Sequence, residues 1–224
     1  MIQEIFSAEN VAFMLAGTRI SLLVAVCAVT IGILLGIVAA ACKLSRSAVL
    51  RVLANIYVEF IRGTPMLLQL SFFYLGIPLI YKQLTGSYLA TDSLLLGILA
   101  IGINSGAYSG ELIRSAINAV DAGQWEAGAS LGMTHRQVMG KIILPQAFKR
   151  IIPPLTSEFI TLIKDSSLVS TIGVVDLMKT TEIIGAHYYN YFLPMLGAGL
   201  IYLVLTVGIS RLSALLERKV AVSD

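Results

Sequence analysis

The sequence predicts an all-α integral membrane protein with five transmembrane helices, and three observations carry that reading. Of 224 residues, 57% are hydrophobic and 13% charged, where a soluble domain carries about 25% charged residues. The charges that exist leave long apolar intervals between them. Of the 16 lysines and arginines, eleven then fall on one side of the crossings those intervals define and two on the other, with Arg19, Arg62 and Lys164 at span edges or inside. A mean hydropathy of +0.84 excludes a soluble enzyme, a disordered chain or a small disulfide scaffold. Cys27 and Cys42 would lie about 22 Å apart on one helix, too far to bridge. The net charge of +3 does not point to a nucleic-acid partner. MIQEIFSAEN at the start has acidic residues but no Lys or Arg, unlike a signal peptide.

The chain reads as one membrane domain over 1–224, with crossings near 15–42, 55–81, 92–112, 150–172 and 190–213. The first rests on residues 20–42, which are free of Asp, Glu, Lys and Arg between Arg19 and Lys43. The second rests on 63–81, between Arg62 and Lys82, and the third on 93–110, between Asp92 and Glu111. Residues 183–210, between Glu182 and Arg211, support the last. About 20 apolar residues are needed to cross about 30 Å of hydrocarbon. The segment 150–172 is apolar but holds Glu158, Lys164 and Asp165. Three central charges would cost roughly 7–10 kcal/mol on a lone helix facing lipid, so its charged side is expected to face protein or water. Pro153 and Pro154 are expected to end or kink that helix near the cytoplasmic boundary. With five crossings, eleven of the Lys and Arg residues fall on one side, and Lys82 and Lys179 on the other. The positive-inside rule makes the rich side cytoplasmic, with the N-terminus outside and the C-terminus inside. His187, Tyr188, Tyr189 and Tyr191 suit an outer interfacial belt.

The longest cytoplasmic connection reads as a helix–turn–helix over 121–145, punctuated by Gly123, Gly128, Gly132 and Gly140. Within it Glu126-Ala127-Gly128, then Gly132, then Ile142-x-Leu144-Pro145 follow the spacing EAA-x3-G-x9-I-x-LP, with Gly128 in place of the second alanine. This resembles the signature loop of the membrane subunits of bacterial ABC importers. Val58 to Pro65 (VEFIRGTP), Ala107-Tyr108 with Glu111 and Arg114, LPQA at 144–147 and KDSSLV at 164–169 extend the resemblance to the polar-amino-acid branch, over nearly the whole chain. The resemblance implies the type I importer permease fold and a pairing of two membrane subunits, the second being this chain or a paralogue. It also implies two ATPase subunits on the cytoplasmic face and an extracytoplasmic amino-acid-binding protein, in a bacterial cytoplasmic membrane. Import, rather than export, rests on the resemblance alone. The loop would be a coupling helix, with Trp125, Glu126, Ala127, Gly128, Leu131, Gly132, His135, Leu144 and Pro145 as its ATPase contacts. The sequence has no G-x4-G-K-[ST] phosphate loop. ATP and its Mg are therefore expected on the partner, and this chain is expected to bind no cofactor or metal.

Ionisable groups inside a membrane are candidate functional sites. Glu158 and Asp165 are seven apart, within about 20° of one helix face and about 10 Å apart along the axis. They suit the two cationic groups of arginine, lysine or histidine, with Lys164 or backbone amides left for the α-carboxylate. Asn104, with Tyr108 one turn on, would add hydrogen bonds. A purely structural Lys164–Asp165 pair is the bland alternative, and glutamine or another polar amino acid the alternative substrate. Arg62 is expected to pair with Glu59, three residues away, and Arg62-Gly63-Thr64-Pro65 to form a bend or gate. Glu111 and Arg114 repeat that spacing. Small residues at 102, 105, 106, 109 and 110 suit close helix packing. An intramembrane protease would need a base that only His187 offers, at the outer surface. A proton-coupled transporter would want more spans or a repeat.

Overall fold

The computed structural model describes residues 2–89 and 91–221, and all the regular structure among them is helical. A single turn, α1 (Ile2–Ile5), precedes the long α2 (Ala8–Lys43), which Ser7 caps by accepting from Asn10 N. Next come α3 (Ala48–Arg62), α4 (Met66–Ser71), a π turn (Phe72–Gly76) and α5 (Ile77–Thr85). α6 (Ser93–Asn118) leads to the short α7 (Ala122–Ser130) and α8 (His135–Val138). A second π turn (Met139–Ile143) opens α9 (Leu144–Asp165), which tightens into a 3-10 segment (Ser166–Ile172). α10 (Leu177–Tyr188) and α11 (Phe192–Ala221) complete the chain.

Three of these are long and apolar enough to cross a membrane: Ala8–Lys43, Ser93–Asn118 and Phe192–Leu215. α3 and the run from Met66 to Thr85 make a fourth if the pair is one span, but the pair is bent by 102°. The crossing expected over 55–81 is two helices meeting at Gly63-Thr64-Pro65, where a bend was expected. The physical reason is local: Pro65 has no N–H to continue the helix, and it disfavours helical backbone at Thr64. α9 is too polar to count by composition alone. Pro153 and Pro154 do not end it; both lie inside the helix. The helical N–H bonds that they do not supply would go to Lys149 and Arg150, at the polar end of α9.

The centre of the molecule is the seam between α2 and α6, made by small residues spaced four apart. Gly32 and Gly36 on α2 meet Ser105, Ser109 and Gly110 on α6 so closely that a Cβ on Gly36 would lie 2.8 Å from the Gly110 nitrogen. A Cβ on Gly102 would lie 2.9 Å from Ile31. The small face expected on the third span thus has α2 as its partner. Tyr57 of α3 is tied to the same unit, its hydroxyl donating to the Ile103 carbonyl at 2.6 Å. The second half of α9 and the 3-10 segment bury Leu162, Ile163 and Val169 against Val24, Ala28, Leu70 and Ile101. α9 packs on α2, α6 and α11, with Glu158 and Asp165 half-buried and Lys164 exposed. Asp176 caps α10, accepting from Lys179 N at 2.9 Å, and Leu177 N donates to Ser21 of α2.

Candidate functional site

Where α3 ends, α6 and α9 enclose a cavity of about 510 Å³ lined by Arg62, Tyr108, Glu111, Leu112, Ser115, Pro154, Ser157, Glu158 and Thr161. Each charged lining group is held differently. Glu158 Oε1 accepts from the Ser105 hydroxyl at 2.9 Å, and Ser105 is fully buried. Glu111 is neutralised from two sides. Lys43 at the end of α2 donates to it at 2.8 Å, and Arg114 one turn on donates at 3.0 Å from Nε and again from Nη2. The expected Glu111–Arg114 pair is present, and Lys43 makes it a triad. The expected Glu59–Arg62 pair is not formed. Arg62 is the last residue of α3 and turns its guanidinium over the Tyr108 ring, 5.2 Å from the centroid. The cavity therefore presents one guanidinium and one carboxylate that pair with no opposite charge among the described residues.

The break that places Arg62 there is held by a residue the sequence reading passed over. Gln69, 7% exposed, donates through its amide to the carbonyls of Ile61 (2.7 Å) and Thr64 (3.1 Å) and to the Thr64 hydroxyl (2.8 Å). These are carbonyls at the broken helix end, where the helix itself supplies no donor; the Ile61 carbonyl also accepts from the Thr64 hydroxyl at 3.5 Å. Gln69 Oε1 in turn accepts from Asn104 Nδ2 at 2.9 Å. Asn104, expected to touch substrate, is thus engaged in fastening α4 to α6 and does not line the cavity. A lone glutamine in the run MLLQLS was the available signal. Gln69→Leu should leave the Thr64 carbonyl and the Asn104 amide without the partners seen here, and the Ile61 carbonyl with only its long bond from Thr64, at about 1–3 kcal/mol for each buried group left unpaired. Thermal unfolding of the purified complex checks this. The double variant Gln69→Leu/Asn104→Leu should cost clearly less than the two single costs added, because the two share one hydrogen bond.

Tyr108 and Glu158 sit in the cavity with Arg62, whereas Lys164 and Asp165 at the end of α9 do not line it. Of the two carboxylates expected to bracket one site, Glu158 lines the cavity and Asp165, about two turns further along α9 and at its end, does not. Gly63, Thr64 and Pro65 form the bend itself. Ser105, read from sequence only as a packing residue, is the one that orients Glu158.

The expected helix–turn–helix over 121–145 is present, and its glycines have distinct roles. Gly132 has φ +75° and closes α7: Gly132 N donates to Ala129 O at 3.0 Å and Met133 N to Gly128 O at 3.1 Å. This is the paired-bond helix stop that glycine favours. Gly128 allows close packing, since a Cβ there would lie 2.7 Å from Val138 Cγ2. Gly123 is helical, and Gly140 falls inside the π turn rather than punctuating the loop. Thr134 and Gln137 cap α8 reciprocally. Trp125 stacks on His135 at 4.6 Å between ring centroids. Glu126 and Ala127 are exposed, and Leu131 at the apex is 80% exposed. Below them Val138, Ile143, Ala147 and Ile151 form one core with Ala116, Ile117 and Val120 at the end of α6. The hairpin is therefore packed onto both helices that line the cavity. Leu144 and Pro145 begin α9, away from the apex, and Leu144 lines a separate apolar groove.

Residues 32–222 match the family described as the inner-membrane component of binding-protein-dependent transport systems. The chain is 41% identical over 214 residues to a putative glutamine transport system permease protein of Rickettsia bellii, covering 96% of this chain and 95% of the relative. It is 40% identical over 215 residues to the arginine transport system permease protein of Bacillus subtilis, with the same coverage. A crystal structure of an amino acid ABC transporter with histidines superimposes with a TM-score of 0.87 at 40% identity, covering 94% of this chain and 95% of that one.

Proposed function

The chain belongs to the family of binding-protein-dependent inner-membrane transport components, as an amino-acid ABC permease, and on that premise we propose that it imports polar amino acids with positive charge, by alternating access. It is a transport subunit and not an enzyme; ATP is hydrolysed by a separate pair of subunits docked on the 121–145 hairpin. A second copy or a paralogue completes the pathway, and an external binding protein delivers the substrate. α9 with its 3-10 extension is the remaining crossing. That makes five, with the N-terminus outside and the C-terminus inside the cytoplasmic membrane.

The observation that carries the substrate reading is Arg62 and Glu158 in one cavity with Tyr108 between the helices. An amino acid is a zwitterion. Arg62 presents a donor fork that matches a carboxylate, and Glu158 accepts from an ammonium or guanidinium. Arg62 takes the carboxylate role expected of Lys164 or of backbone amides. With Glu111 already neutralised, the charge left at Glu158 favours a cationic side chain over a neutral one. Glutamine is the rival substrate, supported by the likeness to putative glutamine permeases.

Direct binding of arginine, lysine, histidine, glutamine and glutamate to the complex purified with its ATPase tests this reading. The three basic amino acids should bind best. A hydrogen bond to a charged group contributes about 1.5–3 kcal/mol, so Glu158→Gln should weaken arginine binding by roughly 10- to 150-fold while the ATPase still copurifies. Tightest binding of glutamine, or unchanged arginine affinity in Glu158→Gln, would sink the basic-substrate assignment.

A further inference from the structure

A second concave feature lies on a different flank of α9 from the polar cavity, and the transport reading leaves it without a role. Two grooves run side by side. One, of about 310 Å³, lies between α2, α6 and α9, and the other, of about 480 Å³, between α2, α9 and α11. Both have the size of small-molecule sites. They share Ile33, Ile151 and Leu155, and they share Phe148, which is 68% exposed and stands between them. The first is lined entirely by apolar side chains. The two hydroxyls in the second, Ser213 and Thr156, bond to each other at 2.9 Å.

Position along the helices sets the depth. Ile37 is six residues from the end of α2, Ile117 one from the end of α6, and Leu144 is the first residue of α9. All three ends lie on the lysine- and arginine-rich side, so the grooves occupy the cytoplasmic half of the bilayer. On α9 the groove stripe runs Leu144, Phe148, Ile151, Leu155, the i, i+4, i+7, i+11 pattern of one helix face. Lys141 stands one turn before Leu144 and is exposed, as a cation placed at headgroup level above an apolar stripe. A lysine there reaches the interface along its own methylenes, and the cytoplasmic leaflet supplies negative headgroups.

We propose that this paired groove binds an anionic phospholipid of the cytoplasmic leaflet, with its two acyl chains on either side of Phe148 and its headgroup on Lys141. The site requires only that the chain sits in a bilayer with its basic side inward. It does not depend on which amino acid is carried, and Lys141 and Phe148 touch neither Arg62 nor Glu158.

The test uses the complex with its ATPase in nanodiscs of equimolar phosphatidylglycerol and phosphatidylcholine, followed by detergent extraction and native mass spectrometry of the lipids retained. One interfacial lysine favours an anionic over a neutral headgroup by about fivefold. Retained phosphatidylglycerol should therefore exceed phosphatidylcholine by about that factor. Lys141→Gln should bring the ratio close to one, and Lys141→Arg should keep it. A photoreactive benzoylphenylalanine in place of Phe148 should crosslink to lipid. A ratio near one in the unaltered complex, or a preference that survives Lys141→Gln, overturns the proposal. So does a Phe148 crosslink to protein, which would mean that a second copy or another subunit fills the grooves.

Discussion

Gly36→Leu should leave no folded protein in the membrane. A Cβ at Gly36 meets the backbone nitrogen of Gly110 and the Cβ of Ser109, each at 2.8 Å. Neither can swing aside as the tip of a long side chain would. The added side chain must therefore push α2 off α6, and with it the seam on which Ser105 and Tyr57 depend. Overpacking a core typically costs about 1–3 kcal/mol. Forcing two backbones apart should exceed that range, against a total stability of about 5–15 kcal/mol. Size-exclusion profiles of detergent-solubilised membranes give the readout, with Leu34→Ala as control, because Leu34 is 62% exposed two residues away. A monodisperse peak of normal height for Gly36→Leu would mean that the seam yields and that the close contact is not what holds the two helices.

Leu131→Asp should abolish association with the ATPase while the permease itself folds normally. Leu131 sits at the apex of the hairpin, 80% exposed and outside the core beneath it, so a carboxylate there costs the free chain little. In a docked complex the same carboxylate would be buried without a partner, at several kcal/mol, enough to reduce copurification by more than a hundredfold. Gly132→Val is the companion variant. It places a β-branched side chain at φ +75°, strains the turn by about 1–2 kcal/mol, and should weaken docking by less than Leu131→Asp does. If the ATPase copurifies with Leu131→Asp in full yield, the apex is not the docking surface.

The hairpin and the polar cavity were legible to different degrees. The hairpin could be read because its signals are local: Gly128, Gly132 and the spacing from Glu126 to Pro145 lie within twenty residues. The cavity could be read only in part. Glu158 and Tyr108 announce themselves as polar groups in apolar runs. Arg62 was expected to pair with Glu59, since spacing on one helix is all that sequence offers. It turns to Tyr108 instead, because the helix stops at Arg62 and a helix 46 residues later supplies the ring. Asn104 shows the converse: polar, intramembrane and well placed on paper, it spends its amide on Gln69, whose role depends on a break no periodicity reveals. Pro153 and Pro154 do not end α9 for a related reason, since proline stops helices in isolation, whereas packing against α2, α6 and α11 carries α9 past them.

Composition and charge spacing were sufficient for the class of molecule, because the bilayer imposes long apolar helices on any chain that enters it. The α2–α6 seam was half visible, since small residues spaced four apart mark a packing face without naming its partner. Which carboxylate faces the cavity, which is neutralised, and which cation stands free were decided by packing. Each of those outcomes depends on side chains brought together from helices far apart in sequence: Lys43 with Glu111, Ser105 with Glu158, Gln69 with Asn104. An ionisable group inside a membrane takes its character from its nearest neighbours, and the chain order does not say who those neighbours are.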